Sequence, residues 1–372
     1  MRFVIFTHSL VSDWNHGNAH FLRGLATAMV RARHEVRIFE PEDGWSRENL
    51  LREHGEAAIA AFENAYPLLQ STLYDETTLN LSAILETADV VLVHEWNTPA
   101  LVRRVGEHHR LYPFYRLYFH DTHHRSVTEP EAMAAYDLQH YDGVLAYGKV
   151  IRDLYLRNGW ARDAWTWHEA ADTSVFRPLN RGPKVGDVVW IGNWGDGERT
   201  EEIREFLIGP VKALGLRAKV YGVRYPDEAR EALAAAGIEY GGYLPNYEAP
   251  EVFARYRATV HIPRRPYARA LPGIPTIRPF EAMACGIPLV SAPWRDSERL
   301  FREGRDFLFA RDGEEMTRQL RRVLGDDELA RDLAACGLET IRSRHTCAHR
   351  MNELIAIAGE EKTMAAQGRQ NG

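Results

Sequence analysis

The chain has 372 residues, 45% hydrophobic and 26% charged, with a formal net charge of −6. That length exceeds one ordinary core and predicts two domains of roughly 150–200 residues. The mild acidity argues against nucleic acid as a partner. Three cysteines without C-x-x-C spacing (Cys285, Cys336, Cys347) exclude a disulfide frame and a zinc ribbon, and predict reduced thiols in a cytoplasmic protein.

Residues 3–6 form a short apolar run bounded by polar residues, the mark of a buried parallel strand. The run is broken at Thr7 and His8, so neither a signal peptide nor a membrane span is expected there or elsewhere. A polar loop, SLVSDWNHGNAH, leads to Phe21, Leu22, Leu25 and Met29 at helical spacing, and residues 34–39 read as the next strand. This β-loop-α-β opening is Rossmann-like. The loop holds Gly17 but no G-x-G-x-x-G, so NAD and FAD are not expected, nor is any other cofactor.

Residues 46–88 read as mainly helical. Short strands are then expected at 89–93, 115–119, 143–146 and 164–167. Polar clusters follow three of them directly: His94-Glu95-Trp96-Asn97, His120-Asp121-Thr122-His123-His124 and His168-Glu169. Ligands of open parallel sheets lie at the carboxyl ends of strands, so these clusters mark a cleft edge. His120 and Asp121 read as a catalytic pair or as a hydrogen-bonded network at the strand end. The pairs His108-His109 and His123-His124 lack a carboxylate cage, and no metal is expected. Glu169 and Asp172 in EAADTSVFRP read as shaping a turn.

Concentrated Pro, Gly and basic residues over 176–184 suggest a domain boundary. A first domain over 1–178, a second over 184–345 and a terminal segment over 346–372, with a helix at 348–358 and a frayed end, are therefore expected. The helix would pack back on the first domain. In the second half, strands are expected at 188–191, 218–221, 238–240, 259–262 and 288–291, with helices over 199–207 and 249–257. The loop Gly192-Asn193-Trp194-Gly195-Asp196-Gly197, with Arg199 beyond it, offers amides and a guanidinium to phosphate; its alternative is a plain strand-to-helix turn. Asp196 and Glu198 read as a solvated first-turn pair rather than a metal site. The turn holding Tyr243 and Leu244 can face a nucleobase.

The richest stretch is RRPYARALPGIPTIRPFEAMACGIP, residues 264–288. Arg255, Arg257, Arg264, Arg265, Arg269 and Arg278 fall in a window, 252–280, without Asp or Glu. Pro272, Pro275, Pro279 and Gly273 are expected to keep the backbone irregular until Phe280, where a short helix begins with Glu281 in its first turn. A turn running into a helix N-terminus beside guanidinium groups suits phosphate, and one carboxylate beyond it suits the vicinal diol of a ribose. Together they point to a nucleoside diphosphate.

With these residues in view, the chain resembles the GT-B glycosyltransferases, most nearly the CgeB-like branch related to family 4. RPFEAMACGIPLVSAPW is the most specific part of the resemblance, which covers nearly the whole length. It implies two Rossmann-like α/β domains facing each other across a cleft, the first taking the acceptor and the second a nucleotide-diphosphate-sugar. Glu281 would hold the donor ribose, and Thr276, Ile277 and Arg278 the diphosphate. Gly192, Asn193, Tyr243, Leu244 and Gly273 complete the expected donor site. Arg199 joins His120 and Asp121 as a catalytic candidate, and Gly17, Asn18 and His20 fall on the acceptor or cleft side. The family places a second Glu eight residues before the ribose Glu, against the donor sugar. Here that position is Gly273, leaving the sugar to backbone around 271–274 or to other side chains.

The resemblance thus implies transfer of a sugar to a saccharide, lipid-linked glycan or protein, without a metal and with retention. An inverting enzyme would need a base, which His20, His120 or Asp121 could supply. A nucleotide-sugar epimerase of the same shell, and an inactive nucleotide-sugar-binding relic, are the rival readings.

Overall fold

The computed structural model describes residues 1–195 and 197–370, with side chains described as far as Gly359. It divides into two compact units. The first comprises Met1–Ser12, Phe21–Glu169 and the chain from Cys347 on; the second comprises Asp13–His20 and Ala170–Thr346.

The first unit carries β1 (Arg2–Phe6), β2 (Glu35–Pro41), β3 (Ser71–Tyr74), β4 (Val90–His94), β5 (Arg116–Asp121), β6 (Gly143–Ala146) and β7 (Ala164–Thr166). They form one sheet in the order β3-β2-β1-β4-β5-β6-β7, every neighbouring pair parallel. All five residues of β4 are buried, as a strand covered by helices on both faces requires. Strand order reverses between β1 and β4, where Phe3 pairs with both Val36 and Val90. Gly143 must be glycine: a Cβ there would lie 2.4 Å from the Trp165 ring and 2.6 Å from the Asp163 carbonyl. The Cys347–Gln370 helix is tied to this unit through Trp167, whose indole N–H donates to Arg350 O at 2.9 Å.

The second unit adds β8 (Gly186–Ile191), β9 (Ala218–Tyr221), β10 (Ile238–Tyr240), β11 (Tyr256–His261), β12 (Leu289–Ser291) and β13 (Leu308–Phe309). Their order is β10-β9-β8-β11-β12-β13, again parallel throughout. Its core joins Trp190, Phe206, Val211, Val220, Val260, Met316 and Leu320. Here the order reverses between β8 and β11, so the loops leaving those two strands flank the crevice where doubly wound sheets bind ligands.

Several elements differ from the sequence reading. The stretch expected to be helical at 46–88 contains β3, a four-residue edge strand with Leu73 exposed and no usable periodicity. The helix expected over 249–257 stops at Phe253, because Tyr-Arg-Ala-Thr-Val-His from 256 already belongs to β11. The helix expected over 199–207 starts at Thr200 and runs on to Leu214, passing through a π turn at Arg204–Ile208 just before Pro210, which has no N–H to donate. The stretch before Phe280 is also more regular than expected. Arg265–Ala270 is helical with Pro266 in its first turn, and the helix carrying Glu281 is Ile277–Ala284, starting three residues early. Pro279 sits in the first turn, where a missing N–H breaks no helix bond.

Candidate functional site

The second unit gathers its polar groups around Glu281. This side chain is fully buried in the Ile277–Ala284 helix, which presents it beneath its own N-terminal turn. Asn246 donates to Oε1 at 2.6 Å, His20 approaches the same oxygen through Nδ1 at 3.2 Å, and Arg278, one turn earlier, pairs with Oε2. The Asp172 N–H donates to His20 Nε2 at 2.8 Å. With Nε2 accepting, the ring carries its proton on Nδ1, the nitrogen nearest Glu281, without closing an aligned hydrogen bond to it. Burial pushes the Glu281 carboxyl up, yet Arg278, His20 and Asn246 outweigh it and hold the group below its ordinary value. It is a charged carboxylate in the protein interior.

At the head of the same helix, Thr276 has φ +62 and its side chain makes no capping bond. Threonine pays conformational energy to adopt that geometry, which is typical of functional turns. The first N–H groups of a helix have no intrahelical acceptor and point outward beside the positive end of the dipole. Gly17 lies against this turn; a Cβ on it would touch Ile277 Cγ2 at 3.6 Å.

Cationic and neutral donors surround the reversal of strand order. Arg199 donates to Asn193 O at 2.7 and 3.0 Å and to Ile262 O at 3.2 Å, lying over the Trp190 ring. It thereby spans the loops leaving β8 and β11. Burial, then the nearby Arg264 and Arg278, lower its pKa to about 9. His261, the last residue of β11, is buried, bonds through Nδ1 to Ser291 Oγ at 2.8 Å and leaves Nε2 without a hydrogen-bond partner. Burial and the same two arginines, Arg199 and Arg278, push its pKa down to about 3. The concentration of positive charge around Arg199 leaves the crevice ready for an anion.

The remaining donor candidates are placed around this centre. Asn193 is engaged on both sides, receiving Val223 N–H at 3.2 Å and pairing its amide with Asn15. Gly192 packs: a Cβ there would lie 2.8 Å from the Trp190 ring, which supports the turn reading of that loop. Asp196 lies outside the described residues, and Glu198 pairs with Arg264 at 2.7 Å. Arg265 likewise pairs with Glu202 at 2.7 Å. Both arginines therefore have carboxylate partners of their own. Tyr243 bonds through its hydroxyl to Asp13, whose other oxygen receives Asn246 N–H at 2.9 Å, and Leu244 follows half-buried in that turn.

Two further groups of candidates lie away from this centre or beneath the surface. Gly17, Asn18 and His20, expected on the acceptor or cleft side, belong to the segment Asp13–His20 of the second unit. His20 is wholly enclosed against Glu281, because its ring is held between that carboxylate and the Asp172 amide. In the first unit, the pair His120 and Asp121, expected to be catalytic, is interior. Asp121 has no exposed surface; it accepts Tyr155 OH at 2.9 Å and His123 N–H at 3.1 Å and shares a hydrogen bond with Glu95. Glu95, equally buried, accepts Thr122 N–H at 2.8 Å and faces Arg125 Nε at 3.6 Å. Burial raises both carboxyls, and their hydrogen bond favours a proton held between them. His120 packs edge-on against Trp167 and is neutral, its pKa pushed down to about 3 by burial. Both residues sit in the network that joins the ends of β4 and β5, the second of the two readings their sequence position allowed.

Asp172 shapes its own turn by accepting Ser174 N–H at 3.0 Å. Among the described residues, no three His, Cys, Asp or Glu converge on a point that could hold a metal ion. None of the described helices is long and apolar enough to cross a membrane. Asn246, Asp13 and His261 were missed by the sequence reading. His261 carried a usable signal, a polar residue directly at a strand end. Asn246 and Asp13 are paired only by the fold.

Residues 199–356 match the model of the family described as glycosyl transferase-like. No curated protein matches the chain in sequence. Among solved structures, it is similar to a sucrose-phosphate synthase from Thermosynechococcus elongatus (14% identity, 98% of this chain and all of that one, TM-score 0.65). It is also similar to Anabaena HepE in complex with UDP (14% identity, 97% and 100% covered, TM-score 0.65). An alpha-glucosyltransferase in complex with UDP and a 13-mer DNA containing an HMU base superposes at TM-score 0.68 (12% identity, 96% and 99% covered). With two parallel, doubly wound α/β units and these neighbours, the chain has the GT-B glycosyltransferase fold.

Proposed function

We propose that the protein is a glycosyltransferase that takes its sugar from a nucleoside-diphosphate donor bound in the second unit. The observation that carries this reading is Glu281, a buried carboxylate kept charged one turn inside a helix whose N-terminus is flanked by Arg199 and Arg278. Asn246 and Arg278 each use one of its four lone-pair sites, and His20 lies beside Oε1. Arg278 is partly exposed. On donor binding it swings to the diphosphate, and the ribose hydroxyls take its place on Oε2. Arg199 and the first amides of the Ile277–Ala284 helix face the same phosphates.

Cleavage of the sugar–phosphate bond leaves negative charge on the departing diphosphate, and these fixed donors stabilise it as it forms, so the reading assigns no metal. The acceptor is assigned to the first unit: a saccharide, lipid-linked glycan or protein. Retention of configuration is the reading we favour, since His20, His120 and Asp121, the side chains named as bases for inversion, are all buried. RPFEAMACGIPLVSAPW supports a place beside the CgeB-like branch. The free thiols Cys285 and Cys347, both buried, fit a cytoplasmic enzyme. A thermal-shift and calorimetric panel of UDP, GDP, ADP and dTDP tests the donor site: one diphosphate should bind, and binding of none would overturn the assignment. Turnover of its glucose conjugate with an acceptor then separates a transferase from a protein that only binds the donor, and turnover without an acceptor identifies an epimerase.

A further inference from the structure

Gly273 connects the donor turn to a side chain from another loop. Its φ is +94. A Cβ built on it would lie 2.5 Å from Glu298 Oε1, 2.8 Å from Cγ and 3.0 Å from Cδ. The Glu298 side chain therefore occupies the volume that any side chain at 273 would need. The juxtaposition is held firmly. Gly273 N–H donates to Arg295 O at 2.6 Å, and Ser297 N–H to the same carbonyl at 3.0 Å. Asp296 fastens the other end of the loop by accepting Leu300 N–H at 3.0 Å and Phe301 N–H at 2.9 Å. The loop follows β12, so it leaves the carboxyl edge of the sheet next to β11, whose last residue is His261.

A carboxylate is chemically conspicuous here. Four residues beyond Gly273 begins the helix whose head is assigned to the diphosphate, and a carboxylate repels phosphate. It suits a neutral group rich in hydroxyls, each donating a charge-assisted hydrogen bond. In a nucleotide-sugar, that group is the one bonded to the distal phosphate.

We propose that Glu298 is the residue that reads the donor sugar, accepting hydrogen bonds from its hydroxyls, and that residue 273 is glycine so that Glu298 can reach that place. The proposal rests on the donor site described above. It makes the preferred donor a neutral hexose conjugate, with hexuronates disfavoured by charge repulsion. Donor selectivity then resides in a loop some twenty residues after the motif that holds the nucleotide.

The test is calorimetry on the full chain with UDP, GDP, ADP and dTDP and with the glucose conjugate of whichever diphosphate binds, for the native protein, Glu298→Gln and Glu298→Asp. For Glu298→Gln the diphosphate Kd should stay within about twofold, while the Kd of the glucose conjugate rises about tenfold, the loss of one charge-assisted hydrogen bond. Glu298→Asp should recover part of that loss, and Glu298→Gln should narrow the preference for the glucose over the glucuronate conjugate. Unchanged Kd values for both ligands overturn the proposal, as does an equal loss for both, which would assign Glu298 to loop structure alone. If the native protein binds no diphosphate, the donor site and this proposal fall together.

Discussion

Replacing Glu281 with alanine removes one carboxylate and strands three donors: His20 Nδ1, Asn246 Nδ2 and the Arg278 guanidinium. Breaking a fully buried ion pair costs about 3–5 kcal/mol. Arg278 is 19% exposed, so it can turn toward water and avoid part of that penalty. His20 cannot turn away so easily, because the Asp172 amide holds its other nitrogen. A loss of about 2–3 kcal/mol in stability is the expected result, or about 5–10 °C in the melting temperature of a unit this size.

Binding separates the structural from the functional part of that loss. The ribose would lose a charged acceptor, raising the Kd of the nucleoside diphosphate about tenfold or more. Inorganic pyrophosphate has no ribose, and the variant frees Arg278 to meet it, so its affinity should hold or improve. Titration calorimetry of both ligands on the folded variant reads the difference directly. An unchanged nucleoside-diphosphate Kd would remove Glu281 from the site. Parallel weakening of both ligands would reduce it to a support for the helix.

Arg278→Ala should behave oppositely, weakening pyrophosphate and nucleoside diphosphate alike by about tenfold; if pyrophosphate is indifferent, Arg278 is not at the phosphates. The same variant removes the main cation holding the Glu281 carboxyl low. Glu281 contributes its stability fully above an ordinary carboxylate pKa of about 4.5, and loses it as pH falls through its lowered value. Urea titrations should therefore show the acid limb of Arg278→Ala moved to higher pH, and coincident limbs would refute the pairing. The carboxyls of Glu95 and Asp121 are raised, so their contribution is complete below roughly pH 4 and declines as pH rises through the raised values. Asp121→Asn should flatten that decline, whereas a stability–pH curve parallel to the native one would show that no proton is shared. Gly143→Ala drives a methyl group into Trp165 and the Asp163 carbonyl, and should lower stability by about 1–3 kcal/mol by denaturant unfolding; a native midpoint would show that β6 and β7 can separate without cost.

The fold was legible in the sequence because parallel strands buried on both faces announce themselves as short apolar runs. Residues 143–146, 218–221 and 238–240 are strands with the bounds their composition suggested. The edge strand β3 was not legible, since half of it faces solvent and only pairing with β2 makes it a strand. At the site, Glu281 and Arg278 could be found because they lie one helical turn apart in a single motif. The partners of Glu281 come from residues 20 and 246, and no local pattern joins three stretches so far apart. His120 and Asp121 could be singled out at a strand end, but how far a strand-end residue points outward or into the covered interior is decided by the helices over it, not by its neighbours in sequence. The vacancy at Gly273 was legible as a departure, while its occupant was not, because Glu298 arrives from a different loop.

The cations of the second unit explain why the proposed donor site can be rigid before any ligand arrives. Arg199 is locked to two backbone carbonyls on loops from two strands, so its charge is fixed in place by the same bonds that join β8 to β11. That arrangement has a cost, visible in the lowered pKa of Arg199 and of His261, each depressed by burial and by neighbouring arginines. An anion entering the crevice reverses that repulsion, and needs little reorganisation to do so, which is the condition for stabilising a leaving diphosphate effectively. By linkage, a ligand at one hundred times its Kd stabilises the folded unit by about 2.7 kcal/mol. Pyrophosphate alone should therefore raise the melting temperature by about 5–10 °C, and a rise that survives Arg199→Lys, which keeps the charge but loses the planar fork holding both carbonyls, would show that charge rather than its fixed placement does the binding.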